Sequence, residues 1–116
     1  MRDHKSLLAW QEARATVRLM MIATRRSRPP YSVVNQLQRA ALSVQLNIAE
    51  GYAFRSSKRF RNHLEMAYAS AVETSELLEL STELELFSDD TATQALEHCR
   101  QSQRLLRGLI KRLRTT

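Results

Sequence analysis

The chain is short of turn-forming residues and of cysteine. Its 116 residues include two glycines, two prolines and a single cysteine, Cys99. So little glycine and proline disfavours turn-rich β folds, and one cysteine excludes an internal disulfide and suits a reducing compartment. No apolar run approaches the roughly 18 residues of a membrane span, and the N-terminus lacks the apolar core of a signal peptide. The sequence predicts one cytoplasmic domain over residues 1–116, with no membrane partner.

Residue types that perform chemistry are also sparse. The three histidines, His4, His63 and His98, share no metal-ligand spacing, and the chain has no CxxC, HExxH or glycine-rich phosphate loop. Cys99 lies on the apolar stripe of a predicted helix, where a cysteine ordinarily serves as a small core residue rather than a nucleophile. We therefore expect no catalytic activity, no cofactor and no metal site.

Charge is segregated along the chain into three blocks. Residues 1–63 hold 12 Lys and Arg against 3 acids, residues 64–97 hold 9 acids and no Lys or Arg, and residues 98–116 hold 6 Lys and Arg and no acid. Blocks of this kind indicate either a polyanionic partner or charge complementarity between packed elements. Composition alone leaves both open.

Apolar residues recur at helical spacing and predict four helices, at about 7–26, 32–53, 57–86 and 90–114. The third is expected to begin at Ser56 and Ser57, because serine caps helix N-termini. The fourth is expected to follow Ser88, Asp89 and Asp90, an acidic cap that complements the helix dipole. Because the connections are short, consecutive helices should be antiparallel neighbours. The predicted fold is all-α, an up-down-up-down antiparallel four-helix bundle.

Two apolar lines exceed what one bundle seam needs. Leu77, Leu80 and Leu84 form a second line on the third helix, and Leu19 and Ile22 form one on the first. Exposed apolar stripes usually mark an interface, whereas a wide stripe that faces the core needs no partner. The pattern alone does not decide between these two interpretations.

The predicted topology gathers basic residues at one end of the bundle, where helices 1 and 3 begin and helices 2 and 4 end. We call this set the basic pole, and it comprises Arg2, Lys5, Arg55, Lys58, Arg59, Arg61, Arg107, Lys111, Arg112 and Arg114. Such a surface suits phosphate backbones. Alternatively, the basic residues that end helix 4 complement its dipole and aid solubility. Tyr52, Phe54 and Tyr68 could stack on unpaired bases or serve as core or interface aromatics.

A second candidate cluster lies in helix 2, where Asn47 and Glu50 interrupt an apolar run. Buried polar groups need hydrogen-bond partners. We predict a structural polar network of Arg39, Asn47 and Glu50, in which an arginine from helix 1 or 3, or from the next subunit, fixes the packing. In the local alternative, Asn47 bonds a backbone carbonyl and Glu50 serves near the helix end.

Several stretches resemble one known family. Residues 47–52 (NIAEGY), the opening 8–13 (LAWQEA) and the stretches 38–44, 55–60 and 106–111 are similar to the motifs of small four-helix bundle proteins first named for ribosomal-RNA intervening sequences. The resemblance covers nearly the whole chain. Gln45 stands where that family usually has a proline, and Leu46 where a small polar residue is common. Without the proline, helix 2 should be straighter.

The resemblance implies a homo-oligomeric ring, with a pentamer as the expected form, and a role that is not established. A related branch serves as an accessory factor of diversity-generating retroelements, in which a basic ring engages RNA and a reverse transcriptase. We predict a non-catalytic homo-oligomer that binds structured RNA or other nucleic acid through the basic pole. The alternatives are a protein–protein interaction or scaffold module with an acidic partner and no nucleic acid, and an enzyme, which would need a pocket of convergent titratable groups.

Overall fold

The computed structural model describes residues 3–26 and 31–115, without the side chains of residues 25, 26, 31 and 32. A single 3₁₀ turn, His4–Ser6, precedes four helices: α1 (Leu8–Arg26), α2 (Tyr31–Tyr52), α3 (Ser57–Glu83) and α4 (Asp89–Arg114). The described residues form no strand. The all-helical prediction is confirmed, and each helix begins within one residue of the position expected from the sequence.

Serine side chains start both long helices. The Ser56 Oγ accepts a hydrogen bond from the Arg59 N–H at the start of α3, and the Ser88 Oγ accepts one from the Thr91 N–H at the start of α4, each at 3.3 Å. Each bond satisfies a backbone donor that has no partner within its own helix. The expected serine cap of α3 is confirmed, whereas in α4 Ser88 alone is the cap and Asp89 and Asp90 lie in the first turn of the helix.

Helix α3 ends about three residues earlier than the sequence predicts, because the backbone reverses at Glu85. This residue has a φ of 55°, the left-handed conformation that usually belongs to glycine. The Glu85 N–H donates to the Thr82 carbonyl at 3.1 Å, and the Leu86 N–H donates to the Ser81 carbonyl at 3.0 Å. These two bonds form a Schellman motif and end the helix.

The four helices pack in a square, each against the two helices beside it in the order α1, α2, α3, α4 and back to α1, with no diagonal contact among the described residues. Cross-helix bonds run in the antiparallel sense: Gln38 on α2 donates to Thr24 near the end of α1, and Asn47 near the end of α2 meets His63 near the start of α3. The bundle measures 45 × 23 × 22 Å. Helix α2 continues without a break through Gln45, as expected where no proline interrupts the backbone hydrogen bonds.

The core follows the apolar stripes, with large residues toward the ends and small residues near the middle. Met20, Leu37, Ile48, Leu64, Leu78 and Leu106 are fully buried. Ala13, Thr74, Cys99 and Ser102 surround the narrow centre of the bundle. Their hydroxyls and thiol bond backbone carbonyls, as Thr74 does to Ser70 and Cys99 to Ala71. Polar atoms at the centre are thereby satisfied within the bundle.

No helix among the described residues is both long and apolar enough to cross a membrane.

Candidate nucleic-acid interface

The basic pole forms one end of the bundle, as the antiparallel packing requires. Arg2 lies outside the described residues. Of the nine other bases, Arg61 is half-buried and the rest are exposed. Among described residues, Arg114 alone of this set forms an ion pair, to Glu65 at 3.1 Å. The pole therefore presents cations to solvent with little internal neutralisation.

The basic residues on α3 stand where a helix least favours them. Lys58, Arg59 and Arg61 lie in the first turns of α3, whose first turn holds no acid. A helix N-terminus carries a partial positive charge and favours anions, by about 0.3–1 kcal/mol for each exposed group at low ionic strength. Helix stability does not explain these three cations.

The basic residues on α4 are different in this respect. Lys111, Arg112 and Arg114 lie in its last turn, where the dipole favours cations. Interaction with the helix dipole therefore explains the basic residues of α4 but not those of α3.

A groove of about 540 Å³ lies between α3 and α4 beside the basic pole. We call it the α3–α4 groove, and its lining residues are Glu65, Tyr68, Arg107, Ile110, Lys111 and Arg114. Tyr68 and Ile110 belong to the hydrophobic core or pack on it. The groove thus joins an apolar floor to a rim with three cations and one carboxylate.

An aromatic cluster lies at the connection between α2 and α3. Phe54 is partly exposed and has the His63 ring stacked on it at 5.4 Å and the Arg59 guanidinium over it at 5.3 Å. Tyr52 makes an edge contact with Phe60 at 5.6 Å between ring centroids. Tyr52 therefore packs mainly within the protein, whereas Phe54 holds Arg59 in place at the pole.

Gly51 allows α2 and α3 to approach at this cluster. A Cβ atom at position 51 would lie 2.5 Å from the His63 Cβ and 3.1 Å from Phe60 Cδ1, well inside van der Waals contact. The other glycine, Gly108 on α4, has open space around it. The glycine in the NIAEGY stretch is therefore required by close packing between helices and not by a turn.

The polar network in α2 exists with a different partner. The Asn47 Nδ2 donates to the Ser43 carbonyl at 3.0 Å, and its Oδ1 lies 3.1 Å from His63 Nδ1. Glu50 lies 4.0 Å from the same nitrogen. His63 rather than an arginine fills the partner position within the chain. The bond from Asn47 to a backbone carbonyl, which belonged to the local alternative, is present.

Arg39 does not join this network. It is exposed on α2, two helical turns before Asn47, and makes no hydrogen bond or ion pair to the residues that the structure describes. The predicted grouping of Arg39 with Asn47 and Glu50 is wrong within the monomer.

Titratable side chains also line two smaller surface depressions, one with Glu97, Arg100 and Arg104 and one with Arg18 and His98. His98 Nδ1 pairs with Glu12 Oε2 at 2.5 Å on the side of the bundle formed by α1 and α4. The neighbouring Cys99 points inward, and burial raises the pKa of its thiol to about 11, with opposing effects from Gln103 and Arg100. Such a thiol stays protonated and is a poor nucleophile. No group of three or more metal-ligating residues occurs in the described part of the chain.

Comparisons with known proteins agree with this fold. The family described as 23S rRNA-intervening sequence protein matches residues 5–108. A crystal structure from Bacteroides thetaiotaomicron, described as a protein with unknown function from the S23 ribosomal protein family, superimposes with a TM-score of 0.75 at 24% identity, over 90% of this chain and 92% of that one. None of the curated proteins matches the chain in sequence. The chain belongs to the 23S rRNA-intervening sequence protein family.

Proposed function

We propose that the protein is a non-catalytic, cytoplasmic homo-oligomer that binds structured RNA through its basic pole. One observation carries the proposal: Lys58, Arg59 and Arg61 gather at the N-terminus of α3, where the helix dipole opposes them. Cations that do not stabilise the helix need another cause, and a polyanion supplies it. The phosphate backbone of RNA is the polyanion that such clusters ordinarily meet.

The test is RNA binding over a salt series. Replacing Arg55, Lys58, Arg59 and Arg61 by Ala removes four cations from the pole. Each phosphate contact that is lost reduces the magnitude of the slope of log affinity against log salt by about 0.7–0.9. The magnitude of this slope should therefore decrease by up to about 3. Replacing Arg100 and Arg104 by Ala removes two cations away from both the pole and the residues proposed for assembly, and it should leave most of the affinity intact.

Two results would contradict the proposal. One is equal RNA affinity in the pole variant and the wild type, with oligomeric mass unchanged. The other is salt-sensitive capture of an acidic protein that survives ribonuclease, which would favour the protein–protein interaction or scaffold alternative. Duplex DNA of the same length should be measured beside the RNA, since equal affinity for both would indicate plain electrostatic attraction.

The proposed oligomer rests on two exposed apolar faces on opposite sides of the bundle. Leu42 and Leu46 of α2, together with Met66 and Leu80 of α3, form one face, and Leu46 is 45% exposed. Leu8 and Ile22 of α1 lie on the opposite face, beside α4, and are 62% and 57% exposed. Exposed apolar patches mark interfaces. Two different faces favour head-to-tail association, which closes into a ring if the rotation between successive subunits completes a circle and forms an open filament if it does not.

Charge supports the same pairing of faces. The exposed side of α3 beside α2 carries Glu73 and Glu76, and the exposed side of α1 beside α4 carries Arg18. Contact between the two faces would bring these opposite charges together and would leave the α3–α4 side free. The proposed form is a ring, with a pentamer as its expected size.

Mixing two face variants tests the head-to-tail arrangement. Leu46→Glu damages one face and Ile22→Glu damages the other, so each variant alone should be monomeric by analytical ultracentrifugation. An equimolar mixture retains one intact pair of faces and should form a dimer and nothing larger. A ring that survives in either single variant would contradict the assignment of the faces.

A further inference from the structure

The α3–α4 groove combines features that a phosphate backbone alone would not require. Its floor includes Ile110, which is almost completely buried, and the half-buried ring of Tyr68. Plain phosphate binding needs only exposed cations. An apolar floor with an aromatic ring beside cations suits a ligand that is both flat and anionic.

The cations of the groove are available to such a ligand. Arg107 and Lys111 are exposed and make no ion pair or hydrogen bond among the described residues. Arg114 is held by Glu65 at 3.1 Å across the groove. The rim therefore has a net positive charge, with two cations free and a third shared with a carboxylate.

The volume of about 540 Å³ lies within the range of sites that enclose small organic ligands. A nucleotide matches the groove in size, in its flat base and in its anionic phosphates. Duplex RNA keeps its bases stacked inside the helix, so only an unpaired nucleotide can place a base against a protein side chain. Stacking on aromatic residues beside a basic track is the usual way proteins hold single strands.

We propose that the α3–α4 groove binds one unpaired nucleotide of an RNA strand, with the base against Tyr68 and Ile110 and the flanking phosphates on Arg107 and Lys111. Arg114 exchanges Glu65 for a phosphate when the strand enters. This inference rests on the proposed function and adds to it the kind of RNA: a loop, bulge or single-stranded end next to a helix that lies on the pole.

The experiment uses the full-length protein and a single-stranded RNA decamer that carries 2-aminopurine, whose fluorescence falls when it stacks on an aromatic ring. Wild-type protein should quench the probe. Tyr68→Leu should abolish the quenching and weaken binding about tenfold, whereas Tyr68→Phe should retain both. Circular dichroism and oligomeric mass establish that each variant is folded and assembled.

A charge variant of the rim tests the same site without disturbing the core. Arg107→Glu with Lys111→Glu changes only exposed side chains and should abolish the quenching. Arg39→Glu with Arg104→Glu makes the same change of charge elsewhere and should keep it. These two double variants keep the inference testable even if Tyr68→Leu fails to fold.

The outcomes separate this inference from the function on which it rests. If Tyr68→Leu binds a structured RNA as the wild type does and the wild-type protein never quenches the probe, the groove inference is overturned and the basic pole stands. If neither RNA binds, the proposed function fails first. Competition for the groove by a polyglutamate peptide, without any quenching, would overturn the inference in favour of an acidic peptide.

Discussion

The N-termini of α3 and α4 have the same cap and opposite charges. Ser56 and Ser88 each accept a hydrogen bond at 3.3 Å from the backbone N–H three residues later. After its cap, α4 continues with Asp89 and Asp90, whereas α3 continues with Lys58 and Arg59. The acids favour the helix dipole and the bases oppose it. The helix dipole therefore explains the acids of α4 but not the bases of α3, of which Arg59 has a contact within the fold, over the Phe54 ring.

Reversing charge at the start of α3 should have the largest effect. Lys58→Glu with Arg61→Glu changes the pole by four charge units, and RNA affinity should fall about 100-fold near physiological salt, because fewer counterions are released on binding. The free energy of unfolding should rise by about 0.3–1 kcal/mol in Lys58→Glu alone, because an acid in the first turn suits a helix N-terminus. Filter binding and urea denaturation measure the two effects. A fall in both the RNA affinity and the free energy of unfolding would show that these residues stabilise the fold.

The two glycines test how closely the basic pole is packed. Gly51→Ala should lower the free energy of unfolding by about 1–3 kcal/mol, because the new methyl group overlaps the His63 side chain. Gly108→Ala adds the same atom in open space and should raise it by about 0.5–1 kcal/mol through helix propensity. Thermal or urea unfolding of the pair measures both. Equal changes in the two variants would mean that α2 and α3 are less closely packed at Gly51.

Removing the acids of α4 should affect stability alone. Asp89→Asn with Asp90→Asn should lower the free energy of unfolding by about 1 kcal/mol at low salt, because two favourable charges leave the helix N-terminus. RNA affinity should change little, since these residues lie at the pole opposite the bases. A large change in RNA affinity would contradict the distinction between an RNA-binding N-terminus of α3 and a purely structural N-terminus of α4.

The smallest effect is expected at the end of α3. Glu85 occupies the left-handed position of a Schellman motif, where glycine has no steric penalty. Glu85→Gly should raise the free energy of unfolding by about 0.5 kcal/mol, after the greater freedom of glycine in the unfolded chain is subtracted. Glu85→Val should lower it, because a β-branched residue tolerates this conformation poorly. A stabilised valine variant would contradict the assigned backbone conformation.

Periodicity and capping residues predict the bundle because both act over a few residues. The spacing of Leu64, Ala67, Ala71 and Leu78 specifies the buried side of α3, and all four are buried. The sequence predicts the end of α3 too late, because no glycine marks it. The left-handed turn is made by Glu85, which the sequence gives no reason to single out.

The sequence predicts the partners of individual side chains less well, because these partners depend on tertiary contacts. His63 meets Asn47, 16 residues earlier, and its place opposite Gly51 depends on how α2 packs on α3. The α3–α4 groove brings Tyr68 beside Arg107 and Lys111, which no short motif connects. The sequence predicts the charge of the basic pole, but it does not predict the apolar floor of the α3–α4 groove beside it.

The bases at the start of α3 are proposed to serve RNA binding and to contribute little to the stability of the fold. The most direct test measures urea unfolding of the wild type and of the variant with Arg55, Lys58, Arg59 and Arg61 replaced by Ala, each with and without structured RNA. Without RNA the variant should lose no more than about 1 kcal/mol, because the removal of unfavourable dipole interactions offsets the loss of the contact between Arg59 and the Phe54 ring. With RNA only the wild type should gain stability substantially, through ligand binding to the native state. A variant that is less stable alone and gains equally from RNA would contradict the claim.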